Sequence, residues 1–247
     1  MGAYTTEAII IGSKNWGEAD KMLRFFSRER GKFKATAFGC RRPKSPLAGT
    51  MQMLNVVEAT LTEGERIDNV RQASVKRRFK AIESDFSAMA YASFIAEMVS
   101  EMEPDDVPHE EVYDFLPKVF DAMESRNPRI IAVAAGYRLL ECAGVGLSLD
   151  ACASCGKKLT GDAYFSIDEG GALDVECARD VPRLYQYAAT TRELLTKLKH
   201  MDWDSLPTFT VKKKDLMAAE KILLDDIHQM LGRELKSLKF IEQIQQK

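Results

Sequence analysis

The first eighty residues carry the period of a strand, and the remainder carries the period of a helix. Phe33, Ala35 and Ala37 alternate with Lys32, Lys34 and Thr36, as Val57, Ala59 and Leu61 do with Glu58, Thr60 and Thr62. A period of two gives a strand one buried face and one polar face. Such stretches, punctuated by Gly and Pro, run over Thr6–Ser13, Met22–Ser27, Lys32–Ala37, Leu54–Glu63 and Ile67–Arg78. Five short antiparallel strands in about eighty residues suit a small, partly closed barrel. The OB-fold is the commonest five-stranded form, and an SH3-like barrel is the alternative.

After Lys80 the pattern changes. Val112, Phe115, Leu116, Val119, Phe120 and Met123 follow the i, i+3, i+4, i+7, i+8, i+11 series of an amphipathic helix, with Pro117 inside it. A proline there removes one intrahelical bond, so a kink or a break is expected. Segments 82–103, 128–143, 190–202 and 212–244 also read as helices. Pro128 suits the first helical turn after Asn127, and Thr190 or Thr191 can cap the helix that follows. The methionines at 89, 98, 102, 123, 217 and 230 read as core filler. The expected class is therefore α+β and multidomain. A five-stranded OB-fold barrel spans residues 1–80. An all-α domain spans residues 81–247 and carries a zinc-knuckle-like hairpin insertion over 149–180.

Charge follows the same division. Residues 1–80 hold 16 Lys/Arg against 8 Asp/Glu, and residues 81–247 hold 19 against 29, so +8 and −10 lie beneath a total of −2. A compact basic unit fused to a larger acidic one points to a polyanion, with DNA or RNA first in line. The cations cluster in three places. Arg28, Arg30, Lys32 and Lys34 flank the turn at Gly31; Arg41, Arg42 and Lys44 lie between Gly39 and Pro46; Lys76, Arg77 and Arg78 close the last strand. The middle group is the most informative, because Pro43, Pro46 and Gly39 exclude regular structure and hold cations on an exposed loop able to track phosphates. Among the aromatics, Phe25, Phe26, Phe33 and Phe38 read mostly as core, and Trp16, beside Gly17, as the stacking candidate for a base.

A second motif lies among the helices. Asp150-Ala-Cys152-Ala-Ser-Cys155-Gly has the knuckle spacing of structural zinc, in which two thiolates on one tight turn supply half a tetrahedron. The other half is expected some 15–20 residues on, where Asp174-Val-Glu-Cys177 has the spacing but an aspartate in place of one thiolate. A carboxylate is an acceptable zinc ligand, so Cys152, Cys155, Asp174 and Cys177 form a candidate Cys₃Asp site. A site without metal, its hairpin held by packing, is the alternative. Cys40 and Cys142 read as unligated, and His109, His200 and His228 share no metal-binding spacing. An odd number of cysteines without a secretory start argues against a disulfide framework, no apolar run is long enough to span a bilayer, and a cytoplasmic, nucleoid-associated protein is expected.

Taken in order, these landmarks resemble the RecO family of bacterial recombination mediators in DNA repair. The resemblance runs through Glu7-Ala-Ile-Ile-Ile, Trp16-Gly-Glu-Ala-Asp-Lys21, the turn at Ser27–Gly31, and Arg41-Arg-Pro-Lys-Ser-Pro-Leu-Ala-Gly49. It continues through Tyr137-Arg-Leu-Leu140, Gly144–Leu147, Cys152-x₂-Cys155-Gly156, and Phe165-Ser166 followed by Gly170-Gly171. The resemblance implies an N-terminal OB-fold, a helical C-terminal domain with an inserted zinc site, and no catalytic residues. It implies binding of single- and double-stranded DNA, annealing of complementary strands, and cooperation with RecR to load RecA onto strands coated by single-strand-binding protein. Aspartate at 174 and tryptophan at 16 depart from the usual cysteine and tyrosine. Two readings stand beside it: a zinc-dependent nucleic-acid-processing enzyme, and an adaptor whose OB-fold binds protein. A deaminase would need a His-x-Glu partner for its cysteines, and a nuclease would need carboxylates clustered near the basic surface.

Overall fold

The computed structural model describes residues 2–245. Its chain divides into two compact units: one runs to Pro128 and takes up the chain again from Leu235, and the other spans Arg129–Glu234.

In the first unit, β1 (Ala3–Trp16), β2 (Asp20–Ser27), β3 (Gly31–Ala37), β4 (Val56–Thr62) and β5 (Asp68–Arg77) close into a barrel of order β1-β2-β3-β5-β4. This is the OB-like architecture expected from the alternation. All neighbours are antiparallel except β3 and β5, which meet in parallel at Ala35 and Asp68. The inward positions are those the alternation assigned: Phe33, Ala35, Ala37, Val57, Ala59 and Leu61 are buried with Ile10, Leu23 and Phe25. Phe25 and Phe33 stack across the β2–β3 pair at 5.3 Å. Phe26 points to the other face and is also fully buried, meeting Tyr113 at 6.3 Å between ring centres.

That outer burial comes from helices. α1 (Lys80–Ser84), α2 (Phe86–Met102) and α3 (Glu110–Ser125) belong to the barrel's unit. Asp85 caps α2, its side chain accepting from the N–H groups of Ser87 and Ala88. Pro117 lies inside α3 without ending it, so the break allowed for there does not occur; Val112, Leu116, Val119 and Phe120 stay buried along one face. Burial of that face holds the helix across the missing N–H. Gly31, at φ +73°, turns directly beneath the chain leading into α3, and a Cβ at this position would lie 1.8 Å from the Val107 carbonyl oxygen.

The second unit contains α4 (Pro128–Cys142), the strands β6 (Ala163–Ser166), β7 (Gly171–Leu173) and β8 (Tyr185–Tyr187), then α5 (Ala189–Lys199) and α6 (Lys213–Leu231). The three strands form a small sheet of order β7-β6-β8. Two expectations are corrected here. Ala188, not a threonine, occupies the N-cap of α5 and gives it no side-chain bond; the hydroxyls of Thr190 and Thr191 donate instead to Asp215 of α6, at 2.8 and 3.0 Å. The stretch 212–244 is also two helices. Gly232, left-handed at φ 66°, terminates α6, and the chain re-enters the first unit to form α7 (Leu238–Gln245). Glu97 of α2 receives that return, its carboxylate accepting the N–H groups of Lys236 and Ser237.

Candidate nucleic-acid interface and metal centre

The three basic clusters meet different surroundings. In the first, every cation faces a carboxylate from the segment after α2. Arg28 reaches Glu110 and Asp114, both at 3.0 Å. Arg30 lies between Asp68 and Asp106 and also donates to the Tyr4 hydroxyl. Lys32 and Lys34 share Asp105, at 3.2 and 2.9 Å, and Lys32 donates in addition to the Ser100 carbonyl. The Asp106 N–H bonds the Lys32 carbonyl, so the acidic segment is laid along β3 by backbone as well as charge. Burial works against charge at Asp68 and Asp105, yet both carboxyls are held below the ordinary aspartate range. Tyr4, Gly64 and Arg30 achieve this at Asp68, and Lys34 and Lys32 at Asp105.

The third cluster is partly matched. Lys76 pairs with Glu58 at 2.8 Å, and Arg77 pairs with Asp121 while lying over the Phe79 ring. Arg78 has no carboxylate; it donates to the Gly49 carbonyl at 2.6 Å, which turns it toward the middle cluster.

The middle cluster is built differently. The loop after β3 winds through successive turns, Arg42 N–H to Gly39, Ser45 to Arg42 and Ala48 to Ser45, and then sends Leu47 and Met51 into the barrel core. Asn55, almost fully buried, holds it from beneath by donating to the Gly49 and Thr50 carbonyls. Its far side is tied to the β1–β2 turn: Arg41 N–H donates to Ala19, the Arg41 guanidinium to Gly17, and Gly39 N–H to the Asp20 side chain. With two apolar anchors inside and three hydrogen bonds outside, Arg41, Arg42, Pro43 and Lys44 are left exposed on a fixed loop. Among the described residues, no carboxylate lies within ion-pair distance of Arg41, Arg42, Lys44 or Arg78. Lys44, at φ 65°, is in the left-handed region that non-glycine residues seldom adopt.

Two exposed rings flank this loop. Trp16, at the end of β1, is 50% exposed, and Phe38, immediately before Gly39, is 59% exposed. Phe38 is therefore not a core aromatic: β3 ends at Ala37, which leaves the ring one residue past the last inward position. Phe25, Phe26 and Phe33 are fully interior and offer no stacking face.

In the second unit, the four residues singled out by spacing converge. Cys152, Cys155, Asp174 and Cys177 place one ligand atom each within 4.8 Å of one another. The first knuckle is formed by Gly156 N–H donating to Cys152 and Cys152 N–H to Lys157, and Ala153 N–H ties it to β7 through Ala172. Asp174 divides its two oxygens. Oδ1 accepts the N–H groups of Glu176 and Cys177, shaping the second turn, while Oδ2 faces Cys155 Sγ at 3.0 Å. That contact pushes the Cys155 thiol up to about 12 and holds the Asp174 carboxyl far below its usual range. A tetrahedral ion with sulfur ligands at about 2.3 Å separates its ligand atoms by roughly 3.8 Å, so the set fits one. Cys40 and Cys142 lie outside this group.

Comparison with known proteins agrees with both halves. Residues 1–79 match the family model described as Recombination protein O N terminal, and residues 83–239 match Recombination protein O C terminal. The DNA repair protein RecO of Anaeromyxobacter sp. (strain K) is 30% identical over 99% of this chain and 98% of its own length. That of Pelotomaculum thermopropionicum is 27% identical over 100% and 96%, and that of Halalkalibacterium halodurans 25% over 98% and 95%. Among the described residues no helix is long and apolar enough to cross a membrane. An OB-like barrel, a helical remainder with a four-donor knuckle, and matches along nearly the whole chain converge, and the protein belongs to the RecO family of DNA repair proteins.

Proposed function

We propose that this protein is a non-enzymatic recombination mediator that binds single- and double-stranded DNA, anneals complementary strands, and acts with RecR to load RecA onto DNA coated by single-strand-binding protein. The observation that carries this reading is the Arg41-Arg42-Lys44 loop with Arg78: exposed cations without carboxylate neighbours, on a loop anchored by Leu47 and Met51. Annealing follows from such a surface. Neutralising the phosphates of both strands lowers their repulsion, and contacts confined to the backbone leave base edges free to pair. Trp16 and Phe38 supply planar faces for an unpaired base beside those cations. The protein's place is the cytoplasm, at the nucleoid. A fluorescence annealing assay with complementary oligonucleotides, with and without single-strand-binding protein, tests the reading. Acceleration that persists on coated strands is expected; no acceleration and no retention of single strands would reduce the protein to an adaptor.

The knuckle is proposed to hold structural zinc on Cys152, Cys155, Cys177 and Asp174 Oδ2. What supports it is the convergence of three sulfurs and one oxygen, with the remaining aspartate oxygen occupied by its own turn. Zinc there would fasten the two turns to each other. Metal analysis of protein purified without chelator should give about one zinc per chain, and Cys155→Ser should lose it. Fully folded, metal-free wild-type protein would refute the assignment.

A further inference from the structure

Within the first unit, a cavity of about 740 Å³ opens between the β1–β2 strands, α2 and α7. Its size lies within the roughly 300–1,000 Å³ of small-ligand sites. Met22, Met53 and Met89 line it, and Phe86 and Phe240 stand at its walls, 63% and 54% exposed. Four cations also line it. Arg24 and Lys34 are engaged, by Glu101 and Asp105. Lys14 and Lys236 are exposed, and among the described residues neither has a carboxylate within ion-pair distance. The groove's own Glu97 is committed to the N–H groups that begin the return into α7.

The geometry points to this groove as a second binding segment for single-stranded nucleic acid, receiving unpaired bases between Phe86 and Phe240 while Lys14 and Lys236 meet the adjoining phosphates. The inference rests on the proposed nucleic-acid reading and extends it to a site apart from the basic loop. Two observations choose this occupant. The first is chemical: exposed rings and adaptable methionine side chains beside uncompensated cations match a polymer that alternates flat apolar groups with anionic ones. The second is continuity. The Arg41 loop is bonded to the β1–β2 turn through Gly17, Ala19 and Asp20, Trp16 lies on that hairpin, and Lys14 pairs with Met22 one step further toward the groove. A strand leaving the loop along the hairpin therefore arrives at the groove. A duplex keeps its bases stacked inside and has nothing to insert, so the groove discriminates between single and double strands where the loop does not.

The test compares three proteins by fluorescence anisotropy on an oligothymidylate and on a duplex of equal length: wild type, Phe86→Ala/Phe240→Ala, and Arg41→Glu/Arg42→Glu/Lys44→Glu. Both rings are mostly exposed, so their removal leaves the fold in place, which circular dichroism and thermal melting check. The ring variant should lose at least fivefold in affinity for the oligothymidylate and less than twofold for the duplex, with its salt slope unchanged, because stacking releases no counterions. The loop variant should weaken on both. Full oligothymidylate affinity in the ring variant, with the loop variant impaired, overturns the groove and leaves the DNA-binding reading standing. Absence of binding by wild type overturns that reading itself. As a separate arm, Lys14→Glu/Lys236→Glu should weaken oligothymidylate and flatten its salt slope by about one to two. If a fluorescein-labelled acidic peptide bearing an aromatic residue binds wild type in a ring-dependent manner and oligothymidylate fails to displace it, the groove is a peptide site and the proposal fails.

Discussion

Two cation clusters on the same barrel, a few residues apart in sequence, do different things. Arg28, Arg30, Lys32 and Lys34 along the β2–β3 hairpin are all met by carboxylates: Glu110 and Asp114 at Arg28, Asp68 and Asp106 at Arg30, and Asp105 shared by the two lysines. Arg41, Arg42 and Lys44 are equally basic in sequence and meet none among the described residues. The first cluster fixes the acidic segment and α3 against the barrel; the second is held by its backbone and its apolar anchors, so its charge is available. A count of lysines and arginines over the first eighty residues cannot separate these roles. What separates them is whether a carboxylate from a distant part of the chain has been brought alongside.

The largest expected effect comes from reversing the free cluster. Arg41→Glu/Arg42→Glu/Lys44→Glu should cost on the order of a hundredfold in DNA affinity at low salt and reduce the magnitude of the salt slope by about two. Thermal stability should change little, because these side chains are exposed, the bond lost from the Arg41 guanidinium to Gly17 is a solvent-exposed one, and the anchors Leu47 and Met51 remain. Titrations at several salt concentrations measure both. A variant that binds DNA as well as wild type would break the comparison at its stronger end.

Arg30→Ala addresses the other cluster. Asp68 is only 4% exposed, and removing its guanidinium leaves a nearly buried carboxylate with the Tyr4 hydroxyl and Gly64 N–H alone. The expected cost is about 2–3 kcal/mol of folding stability, read by urea unfolding. DNA affinity should move by less than about threefold, as for one screened charge. A large loss of affinity with intact stability would place Arg30 on the DNA after all. Arg30→Lys should recover little stability, because one ammonium cannot address Asp68, Asp106 and Tyr4 from a planar fork.

The parts legible from sequence were those whose cause is local. Alternation named the strands and most inward residues, since a side chain's face in a strand depends only on its register. The two cysteine turns were legible because their spacing is local, and the structure brings Asp174 and the three cysteines together so that their ligand atoms lie within 4.8 Å of one another. The remaining features arise between distant residues. Lys34 and Asp105 are 71 positions apart, and nothing in either neighbourhood announces the pair. Thr190 and Thr191 sat beside a helix start with the right chemistry for a cap, but Asp215 from α6 offered their hydroxyls a buried acceptor. The end of α6, by contrast, has a local signal: Gly232 is the residue type that terminates helices in the left-handed conformation. Phe38 shows how fine the margin is, since one residue separates an inward strand position from an exposed ring beside the basic loop.

Asp105→Asn gives the smallest effect and the sharpest test of what the acidic segment does to the β2–β3 face. Asp105 is about half exposed, so its pairs with Lys32 and Lys34 contribute at most about 1 kcal/mol. The sign of the pH dependence follows from the lowered folded pKa. The contribution is fully present above the unfolded aspartate value of about 3.9 and is lost as pH falls through the lower folded one. The variant should therefore match wild type at the acid extreme and fall below it as pH rises toward neutrality. For DNA, the substitution leaves Lys32 bonded to the Ser100 carbonyl and still mostly covered, so only Lys34 gains freedom. Affinity should rise by no more than about twofold to threefold, the effect of one added exposed charge. A rise of tenfold or more would mean that the β2–β3 face is a DNA surface held shut by its own acidic segment. The two clusters would then differ in timing, not in function.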